Sequence, residues 1–124
     1  MIKVHGEQFE LGKLSAIDQL TLLRKLGSAT PLIEKIIADE NKGKDRGLLT
    51  MFALSQISDS DMKDLMDVAF KGVQIYRYGT WSPLMSKGGL MFDDLQLVVL
   101  IGLITAIIEE NLGPFFTISL AALQ

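Results

Sequence analysis

Cysteine is absent from this chain, and histidine occurs once, at His5. Disulfides and thiolate sites are thereby excluded. Acid–base and nucleophilic catalysis also lose the side chains most easily tuned near neutrality. Basic residues are too few and too scattered for nucleic acid. The 12 Lys and Arg face 15 Asp and Glu, for a formal net charge of −3, and nowhere do the cations gather into a stripe that could neutralise phosphates. No internal repeat, low-complexity tract or linker composition appears. The start, Met1-Ile2-Lys3-Val4-His5-Gly6, lacks a basic segment leading into an apolar run, so no signal peptide is expected there.

Long hydrophobic runs are nearly absent too. The apolar stretch from Leu95 to Ile108 would rise only about 21 Å as a helix, against a hydrocarbon core of about 30 Å. Gln96, Gly102 and Thr105 interrupt it. The expectation is a buried helix and no membrane partner.

What is present is a chain built to fold. Its 124 residues suffice for one domain with a real core, and 48% hydrophobic against 22% charged residues is far from a disordered composition. Ile2, Val4, Phe9 and Leu11 alternate with polar residues around Gly6-Glu7, which predicts a small N-terminal β-hairpin within residues 1–12. Ser15, followed three residues later by Asp18, caps a first helix with Ile17, Leu20, Leu23 and Leu26 on one face and Gly27 as its stop. Thr30-Pro31 opens a second helix that ends near Asp39, and Asn41 to Gly47 reads as a solvated loop. Leu48 to Ile57 reads as a central helix with Met51 and Phe52 in the core.

Ser58-Asp59-Ser60-Asp61 caps the next helix, whose stripe of Met62, Leu65, Met66, Ala69, Phe70 and Val73 follows helical spacing. Between Tyr76 and Phe92 the pattern breaks into a loop with limited strand content. Asp93 or Asp94 then caps the apolar helix, Gly113 breaks it, and residues 113–124 form a short helix or tail. The predicted fold is mainly α: a single helical domain of about five to six helices, with its core in residues 15–112, the N-terminal hairpin, and room for a short hairpin near residues 78–92.

Nothing in this inventory assembles a catalyst. His5 has no serine-rich elbow or acidic partner nearby in sequence, and the pairs Asp59/Asp61 and Asp93/Asp94 fall where helix capping explains them. Gly88-Gly89 lacks the lysine and hydroxyl of a phosphate loop, and no metal-ligand spacing is present, so no cofactor is expected. The candidates that remain are contact residues. Glu109 and Glu110 close a helix at the end its macrodipole disfavours, which marks them for a partner. Trp81, near Tyr76 and Tyr78, either closes the core or anchors an interface. Phe115, Phe116, Ile118 and Leu120 lie where no charge follows Glu110, and are expected to offer apolar contact or self-association.

Leu90-Met91-Phe92-Asp93-Asp94, and Ile108-Glu109-Glu110-Asn111-Leu112-Gly113 with Phe115-Phe116, resemble blocks of the tail assembly chaperones of tailed bacteriophages and prophages. Gly6 with Phe9 and Leu11, Gln19 with Arg24 and Leu26, and Leu54 to Asp59 follow the same plan, so the resemblance covers most of the chain. Tyr76 to Lys87 and Pro114 depart from it. The resemblance implies a non-catalytic helper that holds the tape-measure protein soluble while tail-tube subunits polymerise around it. Such a helper works in the cytoplasm of the bacterial host and is absent from the mature virion. A structural or oligomerisation subunit of a tail, with the apolar C-terminus joining copies into a homo-oligomer, is the rival reading, and a small enzyme the third.

Overall fold

A computed structural model describes residues 1–37, 46–86 and 89–123, with the side chains of residue 37 and of residues beyond 114 left aside. Two tight turns organise the first sheet. Strands β1 (Ile2–Val4) and β2 (Glu7–Glu10) are joined by His5-Gly6, and β3 (Gln74–Arg77) and β4 (Thr80–Pro83) by Tyr78-Gly79. In both turns the two residues hold positive φ: 46° and 86° in the first, 54° and 79° in the second. Paired positive φ matches the right-handed twist of the flanking strands, which is why two-residue hairpins adopt it. The turn expected at Gly6-Glu7 therefore sits one residue earlier.

The hairpins join through β2 and β3, which pair antiparallel with Phe9 opposite Ile75 and give the order β1-β2-β3-β4. Val4, Phe9 and Ile75 point to the core, while Lys3, Gln8, Tyr76 and Trp81 make a cross-strand row on the opposite face. A second, two-stranded sheet follows, β5 (Met85–Ser86) with β6 (Gly89–Leu90). The mainly α expectation is thus corrected: among the described residues, six strands in two sheets, one of them four-stranded and antiparallel, make this an α plus β fold. Local patterning missed it because each strand is four residues or shorter. The joining pairs, moreover, lie more than sixty residues apart in sequence.

Helix α1 (Ala16–Leu26) starts as the capping signal requires, with Ser15 Oγ accepting from the Asp18 amide at 3.1 Å, and ends at Gly27, φ 48°. A 3₁₀ turn (Gly27–Ala29) leads into α2 (Thr30–Ile37), whose expected end near Asp39 lies outside the described residues, as does most of the Asn41 to Gly47 loop. Arg46 and Gly47 instead begin α3 (Arg46–Ser55). Ser58 Oγ caps α4 (Asp59–Ala69) through the Asp61 amide at 3.1 Å. That helix stops short of the predicted Val73 because Gly72 takes φ 70° and packs against Gly12, where a Cβ would overlap the Lys71 carbonyl.

The largest departure is α5 (Leu97–Leu123). Asp93 and Asp94 precede its first turn, and Gly113-Pro114 does not end it. It is long and apolar enough to cross a membrane by length and composition, with a mean hydropathy of 1.7 over Leu97–Pro114, so the argument from a short run no longer holds. What α5 touches is protein: α1, α2, α3 and β1 pack around it. Val99, Leu103, Ile104, Ile107, Ile108 and Leu112 enter one cluster with Phe9, Leu22, Ile33, Leu65, Phe70 and Ile75.

Candidate protein-interaction site

Threonine in a helix often returns its hydroxyl to the carbonyl one turn back. Thr50 does so to Arg46 and Thr105 to Ile101, each at 2.8 Å, and the rotamers this selects bring the two hydroxyls within 2.7 Å of each other across the α3–α5 seam. Both are buried, and two protons serve three short contacts. One turn further along, Arg46 of α3 donates to Glu109 of α5. One turn before Thr105 on α5, Gly102 admits the β1 strand, because a Cβ there would stand 2.5 Å from Val4 Cγ1. Gly102 thus serves the close approach of a strand.

From this pinned seam a groove of about 620 Å³ opens between α3 and the start of α5. Its walls are Leu48, Met51, Leu97, Val98 and Ile101, and its polar lining is confined to His5, Arg46 and Thr105. Leu48, Met51, Leu97 and Val98 are between 45% and 64% exposed, which is high for side chains of this kind on neighbouring turns. The ionic neighbour, Arg46, is already engaged by Glu109. The groove therefore offers mainly apolar area framed by two helices, with the His5 imidazole on its lining. Among the described residues no three His, Asp or Glu side chains converge as metal ligands.

The chain matches the family model described as phage tail assembly chaperone protein, TAC, over residues 5–122. It belongs to the phage tail assembly chaperone family. No curated protein and no solved structure matches it.

The contact residues expected from sequence are scattered over this family member. Trp81 sits on the open face of β4, 37% exposed, edge-on to Tyr76 with ring centroids 5.2 Å apart. Glu109 faces inward to Arg46, and Glu110 faces solvent. Because α5 continues past them, neither stands at a helix C-terminus. Phe115, Phe116, Ile118 and Leu120 lie on the last turns of α5, and their side chains are outside the described residues.

Several residues expected to be buried lie on the surface, Met51 of the groove among them. Met51 and Phe52, expected in the core, are 45% and 52% exposed, and Ile17 and Leu20, expected on the buried face of α1, are 71% and 52% exposed. In both helices apolar residues exceed the width of one buried stripe. That excess is the signal available in sequence, but it does not say which side faces out.

A separate constellation ties the two hairpins to each other and to the turn that precedes α5. Arg77 donates through Nη1 to both Asp94 oxygens at 2.8 Å, through Nη2 and Nε to Glu7, and lies 5.1 Å above the Phe92 ring. Hydrogen bonding from Arg77 holds the Asp94 carboxyl below its ordinary value. This Arg claims the acid expected to cap α5.

Proposed function

We propose that the protein is a non-catalytic chaperone whose α3–α5 groove receives an apolar helix face of the tape-measure protein during tail assembly. The observation that carries this reading is the groove: largely apolar lining, half-exposed Leu48, Met51, Leu97 and Val98, and helices pinned by the Thr50–Thr105 and Arg46–Glu109 contacts. Long apolar helices aggregate until covered, and a preformed groove covers them at little ordering cost. Family membership supports contact with phage tail proteins in general. The tape-measure protein, rather than the tail-tube subunit, suits a groove shaped by two helices. On this reading the protein acts in the host cytoplasm and leaves before the virion is complete.

Co-expression tests it. The wild-type chain raises the soluble fraction of the tape-measure protein from the same operon and co-purifies with it. The Met51→Glu/Val98→Glu variant, altered only at exposed positions, keeps its circular dichroism and Tm but loses that effect. Equal rescue by this variant removes the groove from the mechanism. Co-purification with the tail-tube protein alone, or recovery of the chain in finished tails, overturns the client assignment.

A further inference from the structure

A second groove, chemically unlike the first, lies between α4 and the β5–β6 hairpin. Its volume is about 570 Å³. Met62 and Met66, one helical turn apart, form one side of the floor, and the cross-strand pair Met85 and Leu90 forms the other. All four are half-buried and rest on the main core. Thioether side chains adapt to irregular partners, so such a floor suits a helix presenting bulky aliphatic groups.

The rim supplies the sign of the partner. Asp59 and Asp67 stand on one edge of α4 with Lys63 between them, and Asp93 stands across the groove. Five other acids are paired: Asp18 with Lys71, Asp61 and Asp64 with Lys25, and Glu7 and Asp94 with Arg77. Among the described residues, Asp59, Asp67 and Asp93 enter no salt bridge. Among the described lining residues, three solvated carboxylates stand against one ammonium around an apolar floor, which matches a cationic amphipathic segment.

We propose that this groove binds a helical segment of a partner protein that carries Lys or Arg along its flank and aliphatic anchors on the facing side. Asp59 and Asp67 are eight residues apart, about 12 Å along α4, which is two turns and the spacing at which cations recur on one face of a helix lying alongside. The strands β5 and β6 are two residues each, too short to template an added strand. A second copy of this chain is the poorer occupant because each copy carries a net charge of −3.

The test uses the intact protein and a fluorescein-labelled, 18-residue Leu/Lys amphipathic peptide as probe, with a Leu/Glu peptide of the same pattern as control. The Lys probe binds and the Glu peptide does not, and affinity drops about tenfold between low and moderate salt. D67N/D93N, which alters only exposed acids, weakens binding about fivefold, and K63E strengthens it about twofold. The six methionines report the location through ¹³C-methyl spectra. Signals of Met62, Met66 and Met85 move with the Lys probe, while that of Met51, in the α3–α5 groove, stays. Movement of Met51 alone, equal binding of the two peptides, an unchanged D67N/D93N variant, or self-association through this face without probe each overturns the proposal.

Discussion

Gly12 illustrates how one missing methyl group can govern the join between two parts of a fold. An added Cβ would meet the Lys71 carbonyl and the backbone of Gly72, neither of which can swing aside. Gly12→Ala should therefore destabilise the protein by on the order of 3 kcal/mol, read from the urea midpoint at constant m. Thr105→Val is milder. It removes one hydroxyl while leaving Thr50 bonded to the Arg46 carbonyl, so the expected loss is about 1 kcal/mol, and a larger one would show that the Thr pair does more than pin the seam.

The carboxylates carry a pH signature. Asp18, hydrogen-bonded by Lys71, and Asp94, hydrogen-bonded by Arg77, are both held below their ordinary value of 3.8. A depressed folded-state value means the unfolded chain takes up protons first. The stabilisation is therefore complete above pH 3.8 and fades as pH falls through the folded-state values. Lys25 is raised above 10.5, chiefly by Asp64 and then Asp61, so its contribution persists through neutrality and is lost only in strong alkali. Urea midpoints measured at decreasing pH should drop more steeply below 3.8 in the wild type than in Arg77→Met, where the Asp94 contribution is already gone.

Helix α5 tolerates a proline in its interior because of where that proline falls. Pro114 lacks the N–H that would reach the Glu110 carbonyl, and both residues are exposed, so water can satisfy the orphaned oxygen. Pro114→Ala should raise Tm, with a gain of about 1–3 kcal/mol at the midpoint, and a fall would mean that a bend at this point is needed for packing. Pro83 has the opposite use. The two-residue Tyr78-Gly79 turn makes Arg77 and Thr80 the bonded pair of the β3–β4 hairpin, so the backbone of Trp81 and Pro83 faces the open edge. A proline there removes a donor and discourages another strand from adding on.

The molecule as a whole divides its apolar surplus. One share is the cluster around α5; the other is the half-exposed set on α3, α1 and the start of α5. A composition of 48% hydrophobic residues in a short chain allows both. If the α3–α5 groove serves clients, Leu48→Ser/Leu97→Ser should leave folding stability within about 0.5 kcal/mol, as expected for exposed positions, while abolishing tape-measure rescue in co-expression. A matching loss of stability would instead make those side chains part of the core.

Much of this was legible before any coordinates. Ser15 and Ser58 announced their helices because a cap is a contact between residues three apart, and Gly27 announced a stop because the positive φ it takes there is a local preference of glycine. The shortage of catalytic groups and the family blocks were likewise written in the residues and needed no folding to be read. The sheet was not, since β2 finds β3 only after helices α1 to α4 have intervened. Nor were the fate of Asp94, the continuation of α5, or the outward turn of Met51. Each depends on surroundings that folding supplies: Arg77 takes the acid, Pro114 falls where only the exposed Glu110 carbonyl loses its donor, and the surplus face of α3 points away from a core already filled. Short-range stereochemistry sets where helices may begin, but which side chain wins a given partner is a contest among residues far apart in sequence.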